Sequence, residues 1–278
     1  MSTWELTAII FGGAAGAGFL GSLTGLGGGI VIIPLLTVGL GVDIRYAIGA
    51  SLVSVIATSS GAAAAYVREG FTNIRIGMFL EVATTLGALG GAFVALFVGP
   101  AAIAVIFGVV LMYSAWSTVR AAPGDAQAVP ADALATRLKM NGTFPTAEGL
   151  KPYNVRRVPA GFALMALAGL LSGLLGIGSG ALKVIAMDRI MKMPFKVSTT
   201  TSNFMIGVTA AASAGVYLGR GYIDPVLALP VMLGVLVGSL SGARLLAGAR
   251  TRTLRIVFAV VVAALAVEMI YKGISGRI

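Results

Sequence analysis

The chain has 278 residues, 58% hydrophobic and only 11% charged, with a formal net charge of +10. A soluble domain carries about 25% charged residues, so this composition excludes water as the main solvent. With neither cysteine nor histidine, the chain has no disulfides, no thiol chemistry, little prospect of a zinc site and no imidazole proton switch. No metal, cofactor or enzymatic centre is expected.

The first apolar run covers 7–23 and has no basic segment before it, so it reads as a helix, not a cleaved signal. It ends in Gly25-Leu26-Gly27-Gly28-Gly29, and a short apolar stretch follows over 30–40. At about 1.5 Å per residue that stretch spans roughly half of a ~30 Å hydrocarbon core. It predicts a half-helix that starts near the membrane midplane. Further apolar runs follow at 47–67, 76–98, 101–119, 161–182, 197–218, 225–243 and 256–270. Most reach the ~18–20 residues that cross a bilayer as helix. None alternates apolar and polar residues as a membrane barrel would. The expected fold is an all-α, polytopic membrane protein.

Residues 17–115 align without a gap on 168–266, with roughly 20 identical positions, among them Gly25/Gly176, Gly27/Gly178, Gly29/Gly180, Ser51/Ser202, Thr58/Thr209 and Tyr66/Tyr217. The chain therefore divides into a first membrane repeat (1–119), a polar connecting loop (120–157) and a second repeat (158–278). Each repeat holds a glycine-broken helical hairpin and three transmembrane helices. If each hairpin turns back to its starting side, the basic segments 68–75, 120–157, 192–196 and 250–255 all share one face. The positive-inside rule prefers that arrangement, which makes the repeats inverted in topology and puts both termini outside. Lys272 and Arg277 at the outer end count mildly against it.

The glycine clusters are the first candidate site. A helix that begins inside the membrane offers unpaired N–H groups and partial positive charge to an anion, and broken helices in paired repeats mark transporter binding sites. Gly27, Gly28 and Gly29 belong to the first cluster, and Gly178, Ser179 and Gly180 to the second. Gly87/Gly91 and Gly234/Gly238/Gly242 stand four residues apart and read instead as helix-packing faces. Lys183 lies three residues past Gly180, and its repeat counterpart is Ile32. A buried lysine in a bilayer needs a partner: a bound anion, a snorkelling path to the interface, or Asp188. Ser51, Ser54 and Thr58 share one helical face. Thr200, Thr201, Ser202 and Asn203 form a donor-rich run in the second copy. Isolated membrane Ser and Thr residues more often bond their own backbone, which is the reading for Thr84, Thr85 and Ser239.

Glu81 and Glu268 read as interfacial, and Arg244 as snorkelling. No two carboxylates share a core helix face, so no acidic site for sodium or proton coupling is visible. The basic residues sit in short inter-helix segments without aromatic stacking partners, which argues against nucleic acid.

The order Gly25-Leu26-Gly27-Gly28-Gly29 with Pro34 downstream, a serine-bearing next helix and a diverged repeat of both resembles the sulfite exporter TauE/SafE family. The resemblance covers nearly the whole chain outside the connecting loop. It implies a multi-pass transporter in a bacterial inner membrane, acting on sulfite, organosulfonates such as sulfoacetate, or related anions. Ser179 in place of Gly28, and the added Lys183, depart from the repeat and weight the expected site toward the second copy. The expected partners are a small anion and the lipid bilayer, with homo-oligomerisation left open. The expected mechanism is alternating access with export favoured. The alternatives are an anion channel, an importer of another small anion such as a carboxylate, or a lipid-binding scaffold.

Overall fold

Each copy folds as a broken helical pair followed by three long helices. The computed structural model describes residues 3–22, 29–68, 70–120, 130, 132–146, 149–246 and 251–276. In the first copy, α1 (Thr3–Ser22) is followed by α2 (Gly29–Pro34), which runs on into a π-helical turn, Leu35–Gly39. Then come α3 (Ile44–Arg68), α4 (Ile74–Ala95) and α5 (Pro100–Arg120). The connecting segment contains α6 (Ala133–Arg137), β1 (Gly142–Thr146) and β2 (Gly149–Tyr153). The second copy repeats the order: α7 (Val158–Leu175), α8 (Gly180–Ile185) with its π-helical turn Ala186–Ile190, α9 (Phe195–Gly219), α10 (Pro225–Leu246) and α11 (Thr251–Ser275).

Local chemistry explains the matching boundaries. Asn73 caps α4 by accepting the Ile76 N–H at 3.1 Å, and its counterpart Asp224 accepts the Val226 N–H at 2.9 Å at the start of α10. Beyond each π-helical turn, an N–H reaches back to the helix: Val42 to the Leu36 carbonyl (3.0 Å) and Met193 to the Met187 carbonyl (2.9 Å). The second hairpin closes on itself, with the Arg156 N–H, just before α7, donating to the Met191 carbonyl, just after the π-helical turn. Entry and exit of that hairpin therefore lie on one side.

Helices pair mainly between copies: α1 on α10, α4 on α7, α5 on α11 and α3 on α9. Glycine makes the first two pairings close. A Cβ on Gly87 or Gly91 would strike the backbone at Ala166 or Leu170, and one on Gly169 or Gly173 would strike Thr84 or Ala88. Gly234 and Gly238 meet the backbone at Phe11 and Ala15 in the same way, so the packing reading of these glycines holds; Gly242 lies among residues whose side chains are outside the description. Two equivalent pairs, α3 with α9 and α5 with α11, run antiparallel. Arg45 at the start of α3 reaches the Tyr222 hydroxyl just past α9 (3.4 Å), while the N–H of Asn73 just past α3 meets the Thr201 hydroxyl in the early turns of α9 (3.0 Å). Likewise Gly108 of α5 faces Ala266 and Ile270, and Gly273 of α11 faces Ala101 and Val105.

Ile74–Ala95, Pro100–Ser117 and Val158–Leu175 are long and apolar enough to cross a membrane, and Trp4–Leu20, Gly29–Gly39, Ile44–Ser60 and Pro225–Ser241 form shorter apolar helices. Met78, Val82, Leu86 and Leu89 make an exposed apolar stripe on α4, matched on α10 by Leu229, Leu233, Val237 and Leu240. Such stripes suit lipid contact. The chain is an all-α membrane protein in its spanning part.

The connecting segment corrects one expectation. It is a folded cap and not a plain polar loop. Ala135, Met140, Tyr153 and Val155 are buried against Ile76, Leu80, Met187 and Met191. Asn73 donates to the Tyr153 hydroxyl (2.6 Å) and the Met140 carbonyl (3.1 Å), and Arg75 donates to the Lys139 carbonyl (3.0 Å). Burial pushes the Tyr153 phenol up, with the Asn73 hydrogen bond opposing it.

Candidate functional site

The start of α2 meets the turn of the second hairpin beside α3 and α9. Gly176 ends α7 in the left-handed region (φ 67°), a conformation that suits glycine. Gly178 (φ 70°) and Ser179 (φ 47°) continue the turn, and Gly180 opens α8. Ser51 of α3 donates to the Gly176 carbonyl at 2.9 Å, which ties the first copy to the second hairpin. Gly29, the first described residue of its hairpin's return limb, is buried beside that bond, and a Cβ there would lie 2.7 Å from the Ser51 Oγ and 3.5 Å from the Gly176 carbonyl. Repeat-equivalent Val55 and Ile206 flank Gly178. Gly27 and Gly28 lie outside the described residues.

Most hydroxyls of the predicted donor set serve the backbone. Ser202 donates to the Gly180 carbonyl (3.3 Å), Ser54 to the Ser51 carbonyl (2.7 Å), and Thr200 to the Lys196 and Val197 carbonyls (3.0 and 3.1 Å). The Thr201 hydroxyl accepts the Asn73 N–H. Asn203 is half-buried on α9. These bonds follow from chemistry: a hydroxyl in a low-dielectric helix finds the i−3 or i−4 carbonyl when nothing better is near. The exception among the predicted residues is Ser179. Its hydroxyl is buried and has no partner among the described residues. Ser172 in the last turn of α7 and Ser198 at the start of α9, neither of them predicted, are in the same condition.

Lys183 sits one turn beyond Ser179, its N–H bonded to the Ser179 carbonyl at 3.1 Å. Its exposure is 0%, so it does not snorkel. Its partner is not Asp188 but Thr209 of α9: the ammonium donates to Thr209 Oγ1 at 2.5 Å. That hydroxyl in turn donates to Glu81 Oε1 at 2.7 Å. Thr85 donates to the same Glu81 oxygen at 3.1 Å, while Glu81 Oε2 is buried with no partner among the described residues. Glu81, expected at the interface, is thus buried between helices. It lies eight residues beyond the Asn73 cap, about 12 Å along the axis. Glu268, by contrast, is exposed. Thr209 was visible in the sequence only as an identity with Thr58; its bridging role needed the antiparallel packing of α9 beside α4.

The arrangement places one buried cation, one buried carboxylate and an unpartnered serine hydroxyl around the second hairpin. A buried ammonium with two further donors can hold an oxoanion. Among the described residues no group of three or more acidic, Cys or His side chains could hold a metal ion.

A family profile described as Sulfite exporter TauE/SafE matches residues 9–269. The chain is 29% identical over 266 residues to "Probable membrane transporter protein YunE" of Bacillus subtilis (strain 168), covering 93% of this chain and 95% of that protein. It is 28% identical over 242 residues to "Probable membrane transporter protein YdhB" of the same organism, with 86% of each chain covered. A "Probable membrane transporter protein" of Xylella fastidiosa (strain 9a5c) is 26% identical over 274 residues, covering 98% and 97%. No solved structure matches the chain.

Proposed function

The chain belongs to the sulfite exporter TauE/SafE family of membrane transporters, and from that premise we propose that it carries small sulfur oxoanions, sulfite or organosulfonates such as sulfoacetate, across a bacterial inner membrane by alternating access. The observation that carries the reading is Lys183, fully buried at the meeting of the hairpins with the unpartnered Ser179 hydroxyl one turn before it. The oxoanion head sits on the Lys183 ammonium and the Ser179 hydroxyl, near the tips formed by Gly29 and Gly178–Gly180. Sulfite and sulfonate groups present several strong acceptor oxygens, which suits such a site. An inside-negative potential drives an anion outward by ~2.3 kcal/mol per charge per 100 mV, so export is the favoured direction for net negative charge.

Two inverted-topology repeats frame this cycle. The antiparallel course of α3 against α9 and of α5 against α11 supports that reading, as does the gathering of segments 70–75, 132–157 and 191–201 on one side. Cysteines placed at position 2 and within 121–129 label from opposite faces of intact cells if the topology is right; labelling from the same face rejects it.

The substrate is tested with purified protein by calorimetry against sulfite, sulfate, sulfoacetate, taurine and small carboxylates, followed by counterflow in liposomes. Sulfite or sulfoacetate binds in preference to taurine, whose ammonium the Lys183 charge repels, and counterflow saturates. Binding of none of these anions defeats the reading, and flux that does not saturate or counterexchange identifies a channel.

A further inference from the structure

The sequence shows no carboxylate pair on a core helix face and so no visible acidic site for coupling. Glu81 changes the charge balance of the site. The formal charges of Lys183 and Glu81 sum to zero, and the Thr209 hydroxyl joins them, accepting from one and donating to the other. An anion docked on Lys183 adds a second negative charge to the same buried cluster, and two anions in one low-dielectric site favour protonation of one of them. Glu81 has the free position for that proton: Oε1 is held by Thr209 and Thr85, whereas Oε2 is buried with no partner among the described residues.

We propose that Glu81 is the resident counter-anion of Lys183 and takes up one proton each time a substrate anion docks, so that anion and proton cross together. This rests on the anion-transport reading above. The balance is simple. A proton from the aqueous phase forms an O–H bond at Glu81 Oε2, the carboxylate becomes a carboxylic acid, and the step reverses when the anion leaves. Nothing is oxidised or reduced.

Among the described residues, the groups that could titrate in place of Glu81 are Lys183 itself and, in the π-helical turn beyond α8, Asp188 beside Arg189; a proton count that persists in Glu81→Gln would assign the proton to one of them. α7, packed along α4, carries no titratable side chain. On α9 the titratable residues are Lys196, whose ammonium lies over the Phe71 ring at 3.6 Å, and Tyr217, whose hydroxyl donates to the Gly173 and Leu174 carbonyls. On α4 itself the nearest is Arg75, bonded to the connecting cap, and α8 contributes Lys183 alone. For a monoanion the cycle is electroneutral and runs with the anion and pH gradients. For a dianion one net negative charge still moves, and the membrane potential still drives it outward.

The test is calorimetry of sulfoacetate binding to the purified full-length protein in two buffers of different ionisation enthalpy, between about pH 6 and 8, where both acid groups of the ligand stay ionised. Wild type takes up about one proton per sulfoacetate, and its affinity falls by up to ~10-fold per pH unit as pH rises, because binding consumes a proton. Glu81→Gln keeps the Thr209 hydrogen bond, binds sulfoacetate with no proton uptake and loses the pH dependence. Wild-type binding without proton uptake, or unchanged uptake in Glu81→Gln, overturns the proposal. The wild-type count needs no variant and stands even if Glu81→Gln fails to fold. Failure of any anion to bind wild type defeats the transport reading and this inference together; binding without protons defeats this inference alone.

Discussion

The same backbone frame occurs twice in this molecule, once charged and once apolar. In the second copy it holds Lys183 and Thr209, facing Glu81 of the first. At the repeat-related place stand Ile32, Thr58 and Met232. Ile32 is as fully buried as Lys183. The Thr58 hydroxyl bonds the Ser54 and Val55 carbonyls at 3.0 and 3.2 Å and bridges no charged groups among the described residues, whereas Thr209 also bonds its own helix, at Met205, yet connects two charges. Both half-helices end in π-helical turns at equivalent positions. The fold thus tolerates either content. A few residues on one side supply the electrostatics.

The comparison is broken most severely by making the charged place into its counterpart. Lys183→Ile alone leaves Glu81 buried without its cation, and loss of one partner of a buried pair costs about 3–5 kcal/mol. Adding Glu81→Met removes the orphaned charge and is expected to recover most of that stability, since replacing a buried ion pair by apolar residues of similar volume is often neutral or stabilising. The double variant is expected to be folded and to bind no sulfite or sulfoacetate. Thermal unfolding and calorimetry check both halves of the expectation, and a double variant that binds like wild type would remove Lys183 from the site.

A gentler probe uses the identical serines. Ser51 joins the first copy to the Gly176 carbonyl at 2.9 Å, while Ser202 stays within its own copy at 3.3 Å from the Gly180 carbonyl. Each alanine variant forfeits one neutral hydrogen bond, about 0.5–1.5 kcal/mol, and Ser51→Ala is expected to show the larger loss in thermal unfolding. Ser202→Ala should leave affinity within a few-fold of wild type, since its hydroxyl proton already serves the backbone. A collapse of binding in Ser202→Ala comparable to that of the Lys183 variants would return this serine to the substrate's first contacts.

Particular residues show what the sequence disclosed. The break at the second glycine cluster, the half-length helices α2 and α8 and the buried Lys183 were legible, because chain reach and charge burial are local or compositional quantities. The packing role of Gly87 and Gly91 was legible from their spacing. The role of Glu81 was not: position within an apolar run does not tell how far a carboxylate lies from the interface when the helix begins beneath a folded cap. That cap was itself hidden, since Met140, Tyr153 and Val155 are scattered among polar residues without period. The hydroxyl-rich run at 199–203 looked like a ligand surface because a pattern cannot distinguish a hydroxyl bonded to its own helix, as Thr199 and Thr200 are, from one left available, as Ser179 is.

The glycine seams carry one more consequence. α1 seats against α10, and α4 against α7, so each copy's closest backbone contacts belong to the other copy. Neither copy has a surface on which it could complete itself. Separating the copies would bare both glycine-lined seams along their length. The two copies are therefore expected to fold as one cooperative unit, and either half expressed alone should fail to give a stable helical bundle.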